Sequence, residues 1–179
     1  MQHLVERARP IRLVIFDVDG VLTDGHLSYS SYPDAPEKDE SKVFHVRDGL
    51  GMKLLMQAGL EVGIITARSS LAVTRRMTDL GVQHVHQGQH DKLATYQSLL
   101  DQLGLSDAQV AYMGDDIIDL PVMRRVGFAT TVADATAFMQ SQCHWVAQQR
   151  GGQGAARELC EFILNAQGRW DETLAYYLR

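Results

Sequence analysis

Short apolar runs recur along the chain at residues 11–17, 60–66, 82–86, 109–113 and 127–131. The first reads Ile-Arg-Leu-Val-Ile-Phe-Asp and the second Leu-Glu-Val-Gly-Ile-Ile-Thr. Runs of this length with little alternation suit strands covered on both faces, as in a parallel sheet. Between them lie stretches with apolar residues at helical spacing. Residues 51–58 carry Met52, Leu54, Leu55 and Met56, residues 71–80 are polar with apolar points, and residues 92–103 carry Leu93, Tyr96, Leu99, Leu100 and Leu103. Gly59, Gly81 and Gly104 follow these three stretches, where the left-handed residue that ends a helix favours glycine. A last helix is predicted over 155–166, after a tight loop at Gly151-Gly152-Gln153-Gly154, which lacks the Lys-Ser/Thr of a phosphate-binding P-loop. Strands alternating with helices predict an α/β fold, a doubly wound (Rossmann-like), mostly parallel sheet with helices on both faces.

Residues 25–46 break this rhythm. They carry no helical pattern and read as a projecting β-hairpin, with arms around 26–31 and 42–46. The joining segment, 33–41, is rich in Pro, Asp and Glu and is predicted to be solvated and mobile. The tail, 169–179, carries Leu174, Tyr176, Tyr177 and Leu178. It is too apolar for a free terminus and is expected to dock on another subunit. No repeat or linker divides the chain, so 1–179 is expected to be one domain bearing this hairpin and tail.

Composition adds exclusions. The 179 residues have ordinary apolar and charged content, 45% and 22%, which argues against disorder of the whole chain. The net charge is −5 and no basic tract stands out, so no nucleic-acid partner is indicated. No apolar run approaches a membrane span, and the N-terminal residues lack the apolar segment of a signal peptide. Cys143 and Cys160 form no C-x-x-C pattern and are expected to be buried and inert. A reducing cytoplasm fits this usage.

Ligands of α/β sheets sit at the carboxyl ends of the strands, and the chemically useful residues fall there. Asp17 and Asp19 end the first run, Thr66 ends the second, Lys92 opens the helix after the third, and Asp115, Asp116 and Asp119 follow the fourth. One carboxylate at a strand end can equally be a helix N-cap; groups at four successive ends point to a site. Asp17 can attack phosphorus and form an aspartyl phosphate. Asp19, two residues on, can protonate the leaving alcohol and then deprotonate the attacking water. Two nearby anions require a cation, and Mg²⁺ suits oxygen ligands: the carboxylates of Asp17 and Asp115 and the backbone carbonyl of Asp19. Thr66 and Lys92 would hold the phosphoryl oxygens. His84, His86 and His90 cluster near the third run without a matching Cys or carboxylate at ligand spacing, which argues against zinc.

The set Asp17-Val18-Asp19-Gly20, Thr66, Lys92 and Gly114-Asp115-Asp116 resembles the four motifs of the haloacid dehalogenase superfamily. Only 26 positions separate Thr66 from Lys92, and residues 17–66 leave room for the hairpin and one helix. The chain therefore resembles the capless group, with no cap domain. Four longer strings, F-D-V-D-G-V-L-T-D-G from Phe16, F-H-V-R-D-G-L-G from Phe44, G-Q-H-D-K-L from Gly88 and G-G-Q-G-A from Gly151, narrow this further. They resemble the branch that hydrolyses 3-deoxy-D-manno-octulosonate 8-phosphate, an eight-carbon 2-oxo acid phosphate used to make a lipopolysaccharide sugar. That resemblance covers about 11–168. It implies substrate contacts from Asp19, His45, Arg47, Asp48, Gly49, Lys53, Arg68, Arg76 and Lys92, and a homotetramer. An arginine fork suits the substrate carboxylate. Lys53 and Arg76 also read as solvated helix residues, and Asp48 as a cap of the following helix. Ala67, where the branch more often has glycine, and the long hairpin tip depart from the pattern. A phosphatase for a nine-carbon keto sugar acid, and a non-catalytic oligomerisation or regulatory relative, are the alternatives. Arg68 disfavours the first and the intact Asp17, Asp19, Thr66, Lys92 and Asp115 set the second.

Overall fold

Leu13, Val14, Ile15 and Phe16 are all fully buried, as a strand covered on both faces must be. They form β1 (Leu13–Phe16) in the computed structural model, which describes residues 2–29 and 40–179. β1 follows α1 (Gln2–Ala8) and leads to a two-rung antiparallel ladder, β2 (Ser28–Tyr29) and β3 (Glu40–Ser41). Then come α2 (Val46–Gln57), β4 (Glu61–Ile65), α3 (Leu71–Leu80), β5 (His84–His86), α4 (Lys92–Leu103), β6 (Val110–Met113), α5 (Leu120–Met123), β7 (Phe128–Thr131), α6 (Ala137–Ser141), β8 (Trp145–Val146), α7 (Ala155–Ala166) and α8 (Trp170–Ala175). The main sheet runs β5-β4-β1-β6-β7-β8, every pair parallel.

Side chains alternate across this sheet with the period of two that strands impose. Val14 and Phe16 of β1 join a core with Leu54 and Leu55 of α2, Val73 and Met77 of α3, and Leu159 and Ile163 of α7. Leu13 and Ile15 face the opposite layer, with Tyr96 and Leu99 of α4, Val122 of α5 and Met139 of α6. The order reverses at β1. Its neighbour on one side, β4, belongs to the first half of the chain, and β6 on the other side to the second. The crevice at such a reversal is where α/β sheets place their ligands.

Each predicted apolar run contains a strand, trimmed at its ends, and the predicted mostly parallel sheet is parallel throughout. Five elements were not predicted: α1, α5, α6, β8 and α8. α1 is a polar helix, and β8 is too short for a period, although Trp145 within it stacks on Phe162 with centroids 5.5 Å apart. α2 begins five residues before the predicted 51, because the His45 ring accepts the Arg47 N–H and caps it. Asp48 is therefore not the cap of its own helix. It is buried in the first turn of α2 and accepts the Arg157 N–H at 2.8 Å, capping α7, whose own N-cap residue is Gly154. Gly51 lets the two helices approach, since a Cβ there would lie 3.2 Å from Cys160 Sγ. Cys160 is buried, while Cys143 is half-buried rather than buried. Burial pushes both thiols up, Cys143 to about 12, so neither is a nucleophile.

The hairpin exists at its base, but its second strand lies at 40–41, before the predicted arm at 42–46. Most of the joining segment, 33–39, lies outside the described residues. Glu40 and Ser41 do not belong to a solvated connector; they form β3, which lies against α3. In the tail, Arg169 donates to the Ala58 carbonyl at 2.6 Å and Trp170 packs on the core edge, while Tyr176, Tyr177 and Leu178 are exposed.

The Gly151-Gly152 loop lies directly on the turn that follows β1. Gly152 donates to the Val21 carbonyl at 2.9 Å, and a Cβ at Gly151 would meet the Gly20 carbonyl oxygen at 1.9 Å. Backbone cannot yield as a flexible side chain can. Gly151→Ala should thus lower unfolding free energy by about 1–3 kcal/mol, as overpacking does. Urea unfolding would read this as a lower midpoint at unchanged slope; an unchanged midpoint would refute the contact.

Candidate active site

β1 ends at Phe16, paired with Ile64 on one side and Met113 on the other. The residues just beyond these three strands therefore meet. Asp17, Asp19, Gly25, Thr66, Ala67, Arg68, Asp115, Asp116 and Ile118 line one cavity of about 210 Å³. Larger clefts, about 560 Å³ beside α8, about 550 Å³ beside α7 and about 420 Å³ beside residues 9–12 and 59–60, lie elsewhere and lack the Asp17 cluster.

Asp17 is buried, and its Oδ1 accepts the Val18 N–H at 2.7 Å. Its Oδ2 lies 2.9 Å from Lys92 Nζ, which also donates to Asp119 Oδ1 at 2.6 Å. Lys92 is the first residue of α4, where the helix dipole disfavours a cation; Asp91, the N-cap, accepts the Ala94 N–H and offsets this. Burial alone would lower the Lys92 pKa, but Asp119 and Asp17 outweigh it and keep the ammonium charged. Asp17 itself is pushed up by burial and then by the negative charge of Asp119. Asp115 is pushed up to about 7, by burial first and then by Asp119, Asp17 and Asp116. Gly20 is what allows Asp115 its position: it has φ +84° and a Cβ there would lie 2.1 Å from Asp115 Oδ2.

Asp17, Asp115 and Asp119 each offer an oxygen within 4.8 Å of the others. Asp119 is the least free of the three. Its Oδ1 accepts from Lys92 and, at 2.6 Å, from the Tyr112 hydroxyl; its Oδ2 accepts the Asp115 N–H at 3.1 Å. A divalent cation thus fits between Asp17 and Asp115, while Asp119 holds the lysine and the loop. Thr66 is buried at the end of β4, its N–H on the His86 carbonyl.

On the hairpin side, Asp19 contacts two cations. Lys42 Nζ donates to Asp19 Oδ1, and Arg68 Nε lies 3.8 Å from Asp19 Oδ2. Glu40 bridges both, 2.9 Å from Lys42 and 3.1 Å from Arg68 Nη2. Burial would raise the Glu40 pKa; hydrogen bonds from Lys42 and Arg68 outweigh it and hold the carboxyl below its usual range.

Of the sequence-predicted residues, Asp17, Asp19, Thr66, Arg68 and Asp115 share the cavity, with Lys92 just beneath it. The others do not line it. His45 and Asp48 are occupied as helix caps. Arg47 lines the cleft beside α7, and Lys53 is exposed on α2. Arg76 lies over Gly49, where a Cβ would meet its Nη2 at 2.2 Å. Sequence reasoning placed Asp119 at the fourth strand end without giving it a role, and did not select Tyr112, Glu40 or Lys42. The spacing of Asp119 in G-D-D-I-I-D was the one available signal.

Known proteins resemble this chain closely. The sequence profile of the haloacid dehalogenase-like hydrolase family matches residues 82–159. The 3-deoxy-D-manno-octulosonate 8-phosphate phosphatase KdsC of Salmonella typhi is 42% identical over 170 residues, 95% of this chain and 88% of its own. A probable YrbI family phosphatase from Pseudomonas syringae pv. phaseolica superposes with TM-score 0.94 at 45% identity, covering 100% of this chain and 99% of its own. The Moraxella catarrhalis 3-deoxy-D-manno-octulosonate 8-phosphate phosphatase, solved with magnesium, phosphate and KDO, superposes with TM-score 0.93 at 40% identity, covering 99% of each chain.

Removing Asp119 would strand a buried ammonium, the Tyr112 hydroxyl and a loop N–H. Asp119→Ala should cost about 3 kcal/mol or more, as breaking buried pairs does. Asp119→Ala with Lys92→Met should cost less than the two added separately. Additive losses in urea unfolding would show that the two residues are not coupled.

Proposed function

The chain belongs to the haloacid dehalogenase-like hydrolases and, within them, to the 3-deoxy-D-manno-octulosonate 8-phosphate phosphatase family; on that footing we propose that it hydrolyses this eight-carbon 2-oxo acid phosphate through an aspartyl phosphate, in the supply of a lipopolysaccharide sugar. The observation that carries the mechanism is the pairing of Asp17, buried against Lys92, with Asp19, which remains open to the cavity two residues on.

An Asp17 carboxylate oxygen bonds to phosphorus as the bond to the sugar oxygen breaks. The electron pair stays on that oxygen, which takes the Asp19 proton. Asp19, now ionised, takes a proton from a water whose oxygen attacks phosphorus. The Asp17–phosphorus bond breaks, and phosphate and free Asp17 are regained. Lys92 and the Thr66 hydroxyl neutralise and orient the phosphoryl oxygens. Mg²⁺, held by Asp17, Asp115 and the Asp19 backbone carbonyl, would supply the charge that lets an anionic ester approach these carboxylates.

Arg68 at the cavity edge suits the substrate carboxylate. His45, Arg47, Asp48, Gly49, Lys53 and Arg76 are proposed as further sugar-end determinants, from the resemblance alone. The cavity, about 210 Å³, falls below the roughly 300–1,000 Å³ of ordinary ligand pockets. Large apolar side chains stand exposed on the segments around it: Leu27, Val43, Val46, Leu71, Ile117 and Ile118. We read this as a site completed by another copy in a homo-oligomer, a tetramer by resemblance. Residues 1–179 act as one hydrolase domain, with the 25–46 hairpin and the 169–179 tail serving that assembly. No described helix is long and apolar enough to cross a membrane, and a cytoplasmic site of action is proposed.

Asp17→Asn should fold yet lose phosphate release from 3-deoxy-D-manno-octulosonate 8-phosphate; near-normal turnover would exclude the covalent route. Saturating Mg²⁺ should raise the melting temperature of the resting protein. At a hundred times its Kd, stabilisation is about 2.7 kcal/mol, or ~5–11 °C for this chain length, and Asp115→Asn should abolish the shift. Full activity after exhaustive chelation would remove the metal from the scheme.

Assembly has its own test. Asp17→Asn subunits mixed and reassembled with subunits cut after Gly168 should regain activity if a neighbour's tail completes the site. A protein monomeric in solution refutes the composite site.

A further inference from the structure

Lys42 lies on the return arm of the hairpin, one residue past β3, and its side chain is only 1% exposed. An ammonium so buried is retained only when paired. Its partners are Asp19 Oδ1 and Glu40 Oε1, the latter at 2.9 Å. Glu40 and Lys42 are two apart, so the strand period turns both toward one face, and Ser41 between them is exposed. The second Glu40 oxygen lies 3.1 Å from Arg68 Nη2, and Arg68 Nε lies 3.8 Å from Asp19 Oδ2. The charges form a closed ring of alternating sign: Asp19, Lys42, Glu40, Arg68.

This ring has a direction. Lys42 grips one oxygen of Asp19 from beneath, while the Asp19 side chain stays 21% exposed at the cavity. The second oxygen lies 3.8 Å from Arg68 Nε, and both residues line the cavity. A carboxylate on two rotatable bonds has no such aim by itself. Proton transfer needs donor and acceptor within hydrogen-bond reach, and a misplacement of about 1 Å can cost 10²-fold.

We propose that Lys42 is a positioning residue for catalysis, holding Asp19 by one oxygen so that the other is set to meet the leaving group, with Glu40 fixing both Lys42 and Arg68. The hairpin is then a wall of its own subunit's active site as well as a surface for assembly. This rests on the phosphatase reading, since it assigns Lys42 a task within that reaction. The task is confined to the proton: as the phosphorus–oxygen bond breaks, the leaving oxygen receives the electron pair and the Asp19 proton. An ester whose leaving group is stable as an anion does not need that proton.

The test compares 3-deoxy-D-manno-octulosonate 8-phosphate with p-nitrophenyl phosphate, with Mg²⁺ present, in rapid-mixing experiments. Lys42→Met should slow the first turnover of the sugar phosphate by about 30-fold or more, within the usual worth of general acid catalysis. It should release the first equivalent of nitrophenolate at nearly the native rate. A slow phase should follow, because Asp19 must still act as base on the aspartyl phosphate. Lys42→Arg, which keeps the cation, should recover most of the loss. If Lys42→Met does not fold, Glu40→Gln, which frees Lys42 from its anchor, should give the same skew at smaller size. Equal losses on both esters, or no loss on either, would overturn the role given to Lys42. Native protein that hydrolyses neither ester would overturn the phosphatase reading and this inference with it.

Discussion

Carboxylates gathered in a buried pocket repel one another, and Asp17, Asp115 and Asp119 are arranged around the Lys92 ammonium that faces them from below. Lys92 lies between Asp17 and Asp119 at 2.9 and 2.6 Å. It neutralises part of their charge and ties the end of β1 to the loop after β6 through α4. Asp119 extends the tie to Tyr112 in the core and to the Asp115 N–H. Such a buried ionic network is a weak source of stability, because desolvation consumes much of its attraction. What it fixes is placement. Charge is left over at Asp17 and Asp115, and that surplus is what makes the pocket receptive to a divalent cation.

A second network, on the hairpin side, handles the other reacting carboxylate by a different principle. Asp17 is held from within the sheet, by a helix whose position is set by the core. Asp19 is held from outside, by Lys42, one residue past a short two-rung ladder, and by Arg68. In the proposed mechanism the nucleophile, which must not wander, sits on the rigid scaffold, and the proton carrier sits where a loop can adjust it. The two roles are adjacent in sequence but rest on separate parts of the fold.

Much of this was legible in the chain. Apolar runs located β1, β4, β5, β6 and β7 because strands buried on both faces need nothing else to be recognised. Asp17, Asp19, Thr66 and Asp115 were found because the parallel sheet makes every strand end a neighbour of the next. The misses have a common cause, since each depends on partners far away in sequence. Asp48 looked like a local cap and instead serves α7, more than a hundred residues on. Glu40 looked like part of a solvated connector and became half of a bridge once Arg68 stood opposite it. β8 has only two residues and is held by the Phe128, Trp145 and Phe162 rings rather than by any period of its own.

Gly151 and Gly152 rest on the backbone of residues 20–24, so the turn carrying Asp19 is seated by residues some 130 positions later. Every motif residue from Asp17 to Asp119 is synthesised before that seat exists. During translation the chain therefore passes through an interval in which its motif residues are present and the contacts that seat the 20–24 turn are not. Contacts this distant in sequence also form slowly, because loop closure must precede any gain from them. The turn that carries Asp19 therefore takes its final seat only once the 151–152 loop has been made and has folded back onto it.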